Sequence, residues 1–293
     1  MISRLLCAFA TLLLAGTNVF AQRSGSQRAA WNKPFPPVHI IGNIYYVGAS
    51  GVSSFLITTP AGHILLDGGL PETAPLIEKN IAALGFHMRE VKYLLNSHAH
   101  FDHAGGLAAL KEASHARLIA SGSDTPTLTS GRQLSYGPGQ SETRFPAVAV
   151  DRIIADGGTV SLGGSVLTAH LTPGHTKGCT TWSLPVAASG RTYQVVFYCS
   201  TTVAGNQLVN NPKYPDIVSD YENTFALLRK LPCDVFLASH PEFFHLSEKF
   251  RQMAQGGPNP FIDSREMPAF IDESERAFQR ELQRQKSQFT ARR

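Results

Sequence analysis

Four side chains able to ligate a metal crowd into six consecutive residues: His98, His100, Asp102 and His103, in the run Asn96-Ser97-His98-Ala99-His100-Phe101-Asp102-His103-Ala104-Gly105-Gly106. In extended backbone alternate side chains share a face, so His98 and His100 point the same way. Asp102 and His103 then fall at a turn into a helix. Imidazole suits zinc, and a carboxylate adds a harder position beside it. Two more histidines follow predicted strand ends: His175 in Thr172-Pro173-Gly174-His175-Thr176, and His240 in Ser239-His240-Pro241. Each by itself reads as an ordinary structural histidine; beside the six-residue run, both become candidate ligands. Six ligands suffice for two metals. His98, His100 and His175 would hold one; Asp102, His103 and His240 would hold the other. Each set leaves a position open for water, and water shared by two zincs becomes hydroxide near neutral pH. That chemistry is hydrolysis. Asp67, in Leu65-Leu66-Asp67-Gly68-Gly69, ends a strand and is placed to orient a metal-bound imidazole from behind, or else simply forms the turn before two glycines. His39, His63, His87, His115, His170 and His245 read as surface or structural.

Strands and short helices must position these groups. Val91–Leu95 reads as a buried strand delivering the His98 run, and a short helix follows over Ala104–Ala113. Val166–Leu171 leads to His175 and Asp234–Ala238 to His240. Val38–Val47, interrupted by Gly42-Asn43, and 53–66, interrupted by Pro60-Ala61-Gly62, read as hairpins. Glu72–Leu84 is helical and stops at Gly85. Helices are also expected from Ser219 to about Lys230 and over Glu273–Gln288. Ser121–Phe145 is rich in Ser, Thr, Gly and Pro and reads as a long loop roofing the site.

At 293 residues the chain allows one large domain or two small ones, and no clean linker divides it. With 43% hydrophobic and 16% charged residues it is neither disordered, coiled-coil nor collagen-like. A net charge of +4, scattered except near the C-terminus, demands no nucleic-acid partner. Met1–Ala21 reads as a secretory signal peptide: Arg4, an apolar run over Leu5–Ala15, and Val19-Phe20-Ala21 before cleavage. Residues 22–293 are then a single domain, with 22–37 an extended arm. No later run is apolar enough to span a membrane. Export implies an oxidising compartment, in which Cys179, Cys199 and Cys233 allow one disulfide and leave one thiol.

With these residues in place, the chain resembles the metallo-β-lactamase superfamily over nearly all of 22–293, on Leu66-Asp67-Gly68, His98 to His103, Gly174-His175-Thr176 and Ser239-His240. The resemblance implies a four-layer αββα sandwich with metals at the sheet edges. Glyoxalase II-like and most lactonase-like members carry a bridging Asp on the strand that here reads Val195 to Thr202, which contains none. Ser200 stands where the commonest β-lactamase subclass has a ligating Cys, which makes the chain most similar to the third subclass of class B. That likeness implies two zinc ions and opening of the lactam ring of penicillins, cephalosporins and carbapenems by a metal-bound hydroxide that Asp102 orients. Ser200 and Thr202 would hold the substrate carboxylate, unless they only satisfy backbone groups; Tyr136 and Gln140 would lie near substrate. A periplasmic, monomeric resistance enzyme is implied. The alternatives are a lactonase of the same superfamily and a zinc-storage protein without turnover.

One pairing comes from hairpin geometry. Thr180–Leu184 and Tyr193–Tyr198 read as antiparallel neighbours about a turn centred on Ser189, and Cys179 and Cys199 are each ten residues from that centre. Opposed residues come within disulfide range, which predicts a Cys179–Cys199 bond and leaves Cys233 free.

Overall fold

Alternation along the strands decides how the molecule is layered. The structure, a computed structural model, describes residues 25–138 and 142–291; the expected signal peptide and Gln140 lie outside them. Strands β1 (Val38–Ile41), β2 (Ile44–Tyr46), β3 (Phe55–Thr59), β4 (Gly62–Leu66), β5 (Val91–Leu95), β6 (Arg117–Ser121) and β9 (Arg152–Ile154) form a seven-stranded sheet in that order. The first four are antiparallel neighbours; β4, β5, β6 and β9 run parallel. On β3, Phe55 and Ile57 face one core and Leu56 the other; on β4, Ile64 and Leu66 oppose Leu65 in the same way. A period of two thus splits the sheet's apolar residues between two layers.

The inner face meets a second sheet of β10 (Thr159–Leu162), β11 (Ser165–Leu171), β12 (Thr180–Ala188), β13 (Arg191–Tyr198) and β14 (Val235–Ala238). Phe55 and Phe197 meet across the interface at 5.2 Å between ring centres. Outside the first sheet lie α2 (Ala74–Ala83) and α4 (Leu107–Ser114), which bury Ile77, Ile81, Leu107 and Leu110. Outside the second lie α6 (Ile217–Leu228) and α8 (Glu266–Thr290), where Phe225 and Phe278 touch at 5.7 Å. The result is the αββα sandwich that the resemblance implies. The remaining pieces are helix α1 over 25–31, α3 (Phe101–Ala104), α5 (Thr125–Ser130), α7 (Leu246–Ala254) and the ribbon β7 (Arg132–Gln133) with β8 (Thr143–Arg144).

Four expectations change. The extended arm is in part helical, and Trp31 at the end of α1 lies against Gly51, where a Cβ would come within 2.4 Å of the indole. The 121–145 segment is less irregular than its composition suggests: Ser121 closes β6 and α5 follows. Helix α8 starts at Glu266 rather than 273, because Pro268 falls in the first turn, where a missing N–H costs nothing. The hairpin turn is the two-residue Ser189-Gly190, with φ of 49° and 75°, a type I′ turn. Its register pairs Ala188 with Arg191, so the ladder opposes residue 179 to 200 and not to 199. The Cys179–Cys199 bond is nonetheless formed, with Cα atoms 6.0 Å apart, because both cysteines lie just past the paired residues. Cys233 is a free, half-buried thiol.

Candidate metal centre

Strand ends deliver the six candidate ligands. β5 stops at Leu95 and releases Asn96 to His100; α3 starts at Phe101 and carries Asp102 and His103 in one turn. β11 leads to His175 and β14 to His240. The ligand atoms of His98, His100 and His175 lie within 4.8 Å of one another, as do those of Asp102, His103 and His240. These are the two sets expected from sequence. His98 Nε2 is 3.2 Å from His175 Nε2, and His103 Nε2 is 3.2 Å from His240 Nε2. Asp102 Oδ2 stands 3.4 Å from His103 Nε2 and 3.6 Å from His240 Nε2.

The protons can be assigned from the partners of the opposite ring nitrogens. His175 Nδ1 donates to the Thr202 carbonyl at 2.7 Å and His240 Nδ1 to that of Gly51 at 2.8 Å. Each ring therefore turns an Nε2 lone pair inward. Such lone pairs at 3.2 Å from another imidazole repel unless a cation lies among them. Three imidazoles in one set, and two with a carboxylate in the other, match the nitrogen and oxygen donors zinc prefers. Burial and the neighbouring His103 push His98 well below the usual histidine range. Burial also brings His100 and His240 down to about 4. These rings stay neutral, as ligands must. Burial alone would raise the Asp102 carboxyl, but His103, which that carboxylate raises in turn, holds it far down and ionised.

Asp67 braces this loop. Its carboxylate accepts from Ser97 N–H (2.7 Å), Ser97 Oγ–H (2.6 Å) and Asn96 Nδ2–H (3.0 Å) and lies 3.9 Å from His103 Nδ1. Ser97 Oγ in turn lies 3.1 Å from His98 Nδ1, so Asp67 reaches both ligand sets. Asp124 does comparable work that sequence reasoning missed: buried, it accepts from Ala99 N–H (2.9 Å) and Thr176 Oγ1–H (3.1 Å), joining the His98–His100 loop to the His175 loop. Nothing in its Ser/Thr-rich surroundings marked it.

The cleft above the ligands holds about 640 Å³, within the usual range for a small-molecule site. Its walls include Trp31, Gln133, Leu134, Thr143, Thr202 and Phe243. The ribbon therefore does roof the centre. Tyr136 does not reach it; that ring is buried against Tyr214 at 5.0 Å. Thr202 lines the cleft, whereas Ser200 is buried behind it with its Oγ 3.1 Å from Thr202 Oγ1. Cys199, next to Ser200, is held in the disulfide and offers no thiolate. Of the six other histidines, none lines the cleft; His63 is buried and the rest are exposed or half-buried.

An αββα sandwich gathers two sets of metal-type ligands at its strand ends, and comparison with known proteins identifies the lineage. The chain belongs to the metallo-beta-lactamase superfamily, whose family model matches residues 47–240. Its structure is similar to BJP-1, a subclass B3 metallo-beta-lactamase of Bradyrhizobium japonicum, with 41% identity over 88% of this chain and 98% of that one, at a TM-score of 0.83. The FEZ-1 metallo-beta-lactamase from Legionella gormanii is also 41% identical, over 87% and 98% of the two chains, at a TM-score of 0.84. Among curated sequences, the N-acyl homoserine lactonase AttM of Agrobacterium fabrum is 37% identical over 86 residues, 22% of this chain and 33% of that protein. The chain thus spans about a third of the length of the first curated relatives it matches.

Proposed function

We propose that this protein is a periplasmic, monomeric β-lactamase that opens the lactam ring of penicillins, cephalosporins and carbapenems with two zinc ions and so confers antibiotic resistance. The observation that carries the reading is the make-up of the second ligand set. It holds Asp102, His103 and His240, with neither a carboxylate nor a free thiol contributed by 198–202. The similarity to subclass B3 enzymes over nearly their whole length supports the same reading.

His98, His100 and His175 would hold one zinc and Asp102, His103 and His240 the other. Bound there, zinc would polarise the lactam carbonyl and lower the pKa of a coordinated water towards 7. Asp102, kept ionised, orients the attacking water. The water oxygen adds to the carbonyl carbon, the C–N bond breaks, and the ring nitrogen gains a proton. No side-chain nucleophile takes part. Thr202, with Ser200 behind it, would hold the substrate carboxylate by hydrogen bonds. The Nδ1 bonds of His175 and His240 keep both rings in the tautomer that ligation needs.

The lactonase reading has the AttM match in its favour and the missing bridging carboxylate against it. One purified sample separates the two. Hydrolysis of nitrocefin that a chelator abolishes, without a covalent adduct in the mass spectrum, is the expected result. Faster turnover of an acyl homoserine lactone, or a long-lived penicilloyl adduct, would replace this reading. Metal binding with no turnover of either substrate would favour a storage role.

A further inference from the structure

Among the residues lining the cleft, two carry acidic side chains and none is Lys or Arg. One acid is Asp102, which belongs to the ligand sets. The other is Glu242, exposed in the single 3-10 turn Pro241–Phe244 just after His240. Among the described residues no Lys or Arg forms an ion pair with it, as is also true of exposed Glu112, Glu222 and Glu248 outside the cleft, whereas Glu72, Glu142 and Glu273 each pair with an arginine. Two aromatic rings stand against the neighbouring ligand His240. Trp31 and Phe243 each lie 5.4 Å from the His240 ring, and both line the cleft. A carboxylate without a basic partner and two aromatic rings lining one cleft are a chemistry that recognises organic cations: the carboxylate supplies charge, and the rings supply quadrupole attraction and partial desolvation.

We propose that Glu242, with Trp31 and Phe243, forms a subsite for a cationic substituent on the substrate, a protonated amine or a pyridinium ring, and so sets preference among β-lactams. The proposal rests on the β-lactamase reading and adds to it the substrate class. Glu242 is a specificity residue and touches no reacting atom. A rim-exposed ion pair and a cation–π contact together favour the cation by about three- to tenfold.

Two matched substrate pairs test it. Ampicillin differs from benzylpenicillin by an ammonium on the acyl arm, and cephaloridine differs from cephalothin by a pyridinium on the opposite arm. At pH 6.5, where an α-amino group carries its proton, the ratio of kcat/KM for cation over neutral partner is measured in the unmodified enzyme, Glu242→Gln, Glu242→Lys, and Glu248→Gln as a charge control outside the cleft. The expected result is a ratio that falls about three- to tenfold in Glu242→Gln for at least one pair, falls further in Glu242→Lys, and holds in Glu248→Gln. The unmodified ratio should also shrink with added salt. Ratios unchanged by Glu242→Gln in both pairs, or moved equally by Glu248→Gln, overturn the proposal. If no β-lactam is hydrolysed, the reading of the reaction fails separately, and calorimetric binding of the same pairs decides the subsite. A cation preference that Glu242→Gln removes supports it; equal binding of both members overturns it.

Discussion

Asp67 sits in left-handed backbone, φ 63°, where few residues other than glycine go. Its three hydrogen bonds to Asn96 and Ser97 hold it there and fix the turn that releases His98. The ligand sets make a prediction at this scale. His103→Ala should lose the second metal and keep the first, and His100→Ala should do the reverse, each cutting activity at least about 100-fold. Metal content by emission spectrometry checks it; two metals in either variant would refute the assignment. Asp124 gives a pH signature. Burial raises its carboxyl from 3.8 to about 6. A carboxyl with a raised folded pKa favours the folded state while protonated, so this contribution is full below pH 4 and lost as pH rises through 6. At 1.36 kcal/mol per pKa unit the change is at most roughly 3 kcal/mol. Asp124→Asn cannot ionise. Its melting temperature relative to the unmodified protein should therefore climb between pH 4 and 7, and a flat difference would contradict the assignment.

Strand ends and the loops they release are the elements that matter. β4 and β5 are parallel neighbours with Leu66 beside Leu95, which brings Asp67 next to Ser97 without any long connection. In the second sheet, the hairpin of β12 and β13 ends at the disulfide, and Cys199 Sγ lies 3.6 Å from His98 Nδ1. The bond braces the loop carrying Ser200 and Thr202 against the first ligand set. Its loss should cost about 3 kcal/mol for a 20-residue separation. In a chain of this size that is about 6–12 °C of melting temperature in a Cys179→Ser, Cys199→Ser protein. Peptide mapping without reduction should find the 179 and 199 peptides joined; a joined peptide containing Cys233 would overturn the pairing.

Across the whole molecule the candidate centre spans both halves of the sandwich. His98, His100, Asp102 and His103 follow the first sheet, and His175 and His240 follow the second. A metal in either set would tie the two sheets together at one edge, adding to the apolar contact between them. Binding that favours the folded state stabilises by about 4 kcal/mol at a thousandfold excess over Kd. Chelation should therefore lower the melting temperature by about 8–16 °C, and added zinc should restore it, as read by calorimetry. A melting point indifferent to chelator would mean that the six groups do not hold metal across the sheets.

Much of this was local enough to read from the chain alone. The 98–103 run carries four ligand types on one turn, so its chemistry needs no distant partner to be recognised. The turns at Gly42-Asn43 and Pro60-Ala61 and the helix stop at Gly85 likewise depend on neighbours in sequence, whereas the capping-box pattern at Ser219 does not hold, since α6 starts at Ile217 without a side-chain cap bond. Contacts between distant residues were decided only by the fold. Trp31 enters the cleft because Gly51 leaves room for it, 20 residues on. Asp124 is recognisable only once Ala99 N–H and Thr176 Oγ1–H converge on it. The β12–β13 register depended on whether Ser189 alone or Ser189-Gly190 made the turn, and backbone dihedrals with φ above zero at both settled it. Residue types and short spacings determine which chemistry this protein can attempt. Which groups meet, and which wall faces the substrate, is set by packing between segments that the sequence keeps far apart.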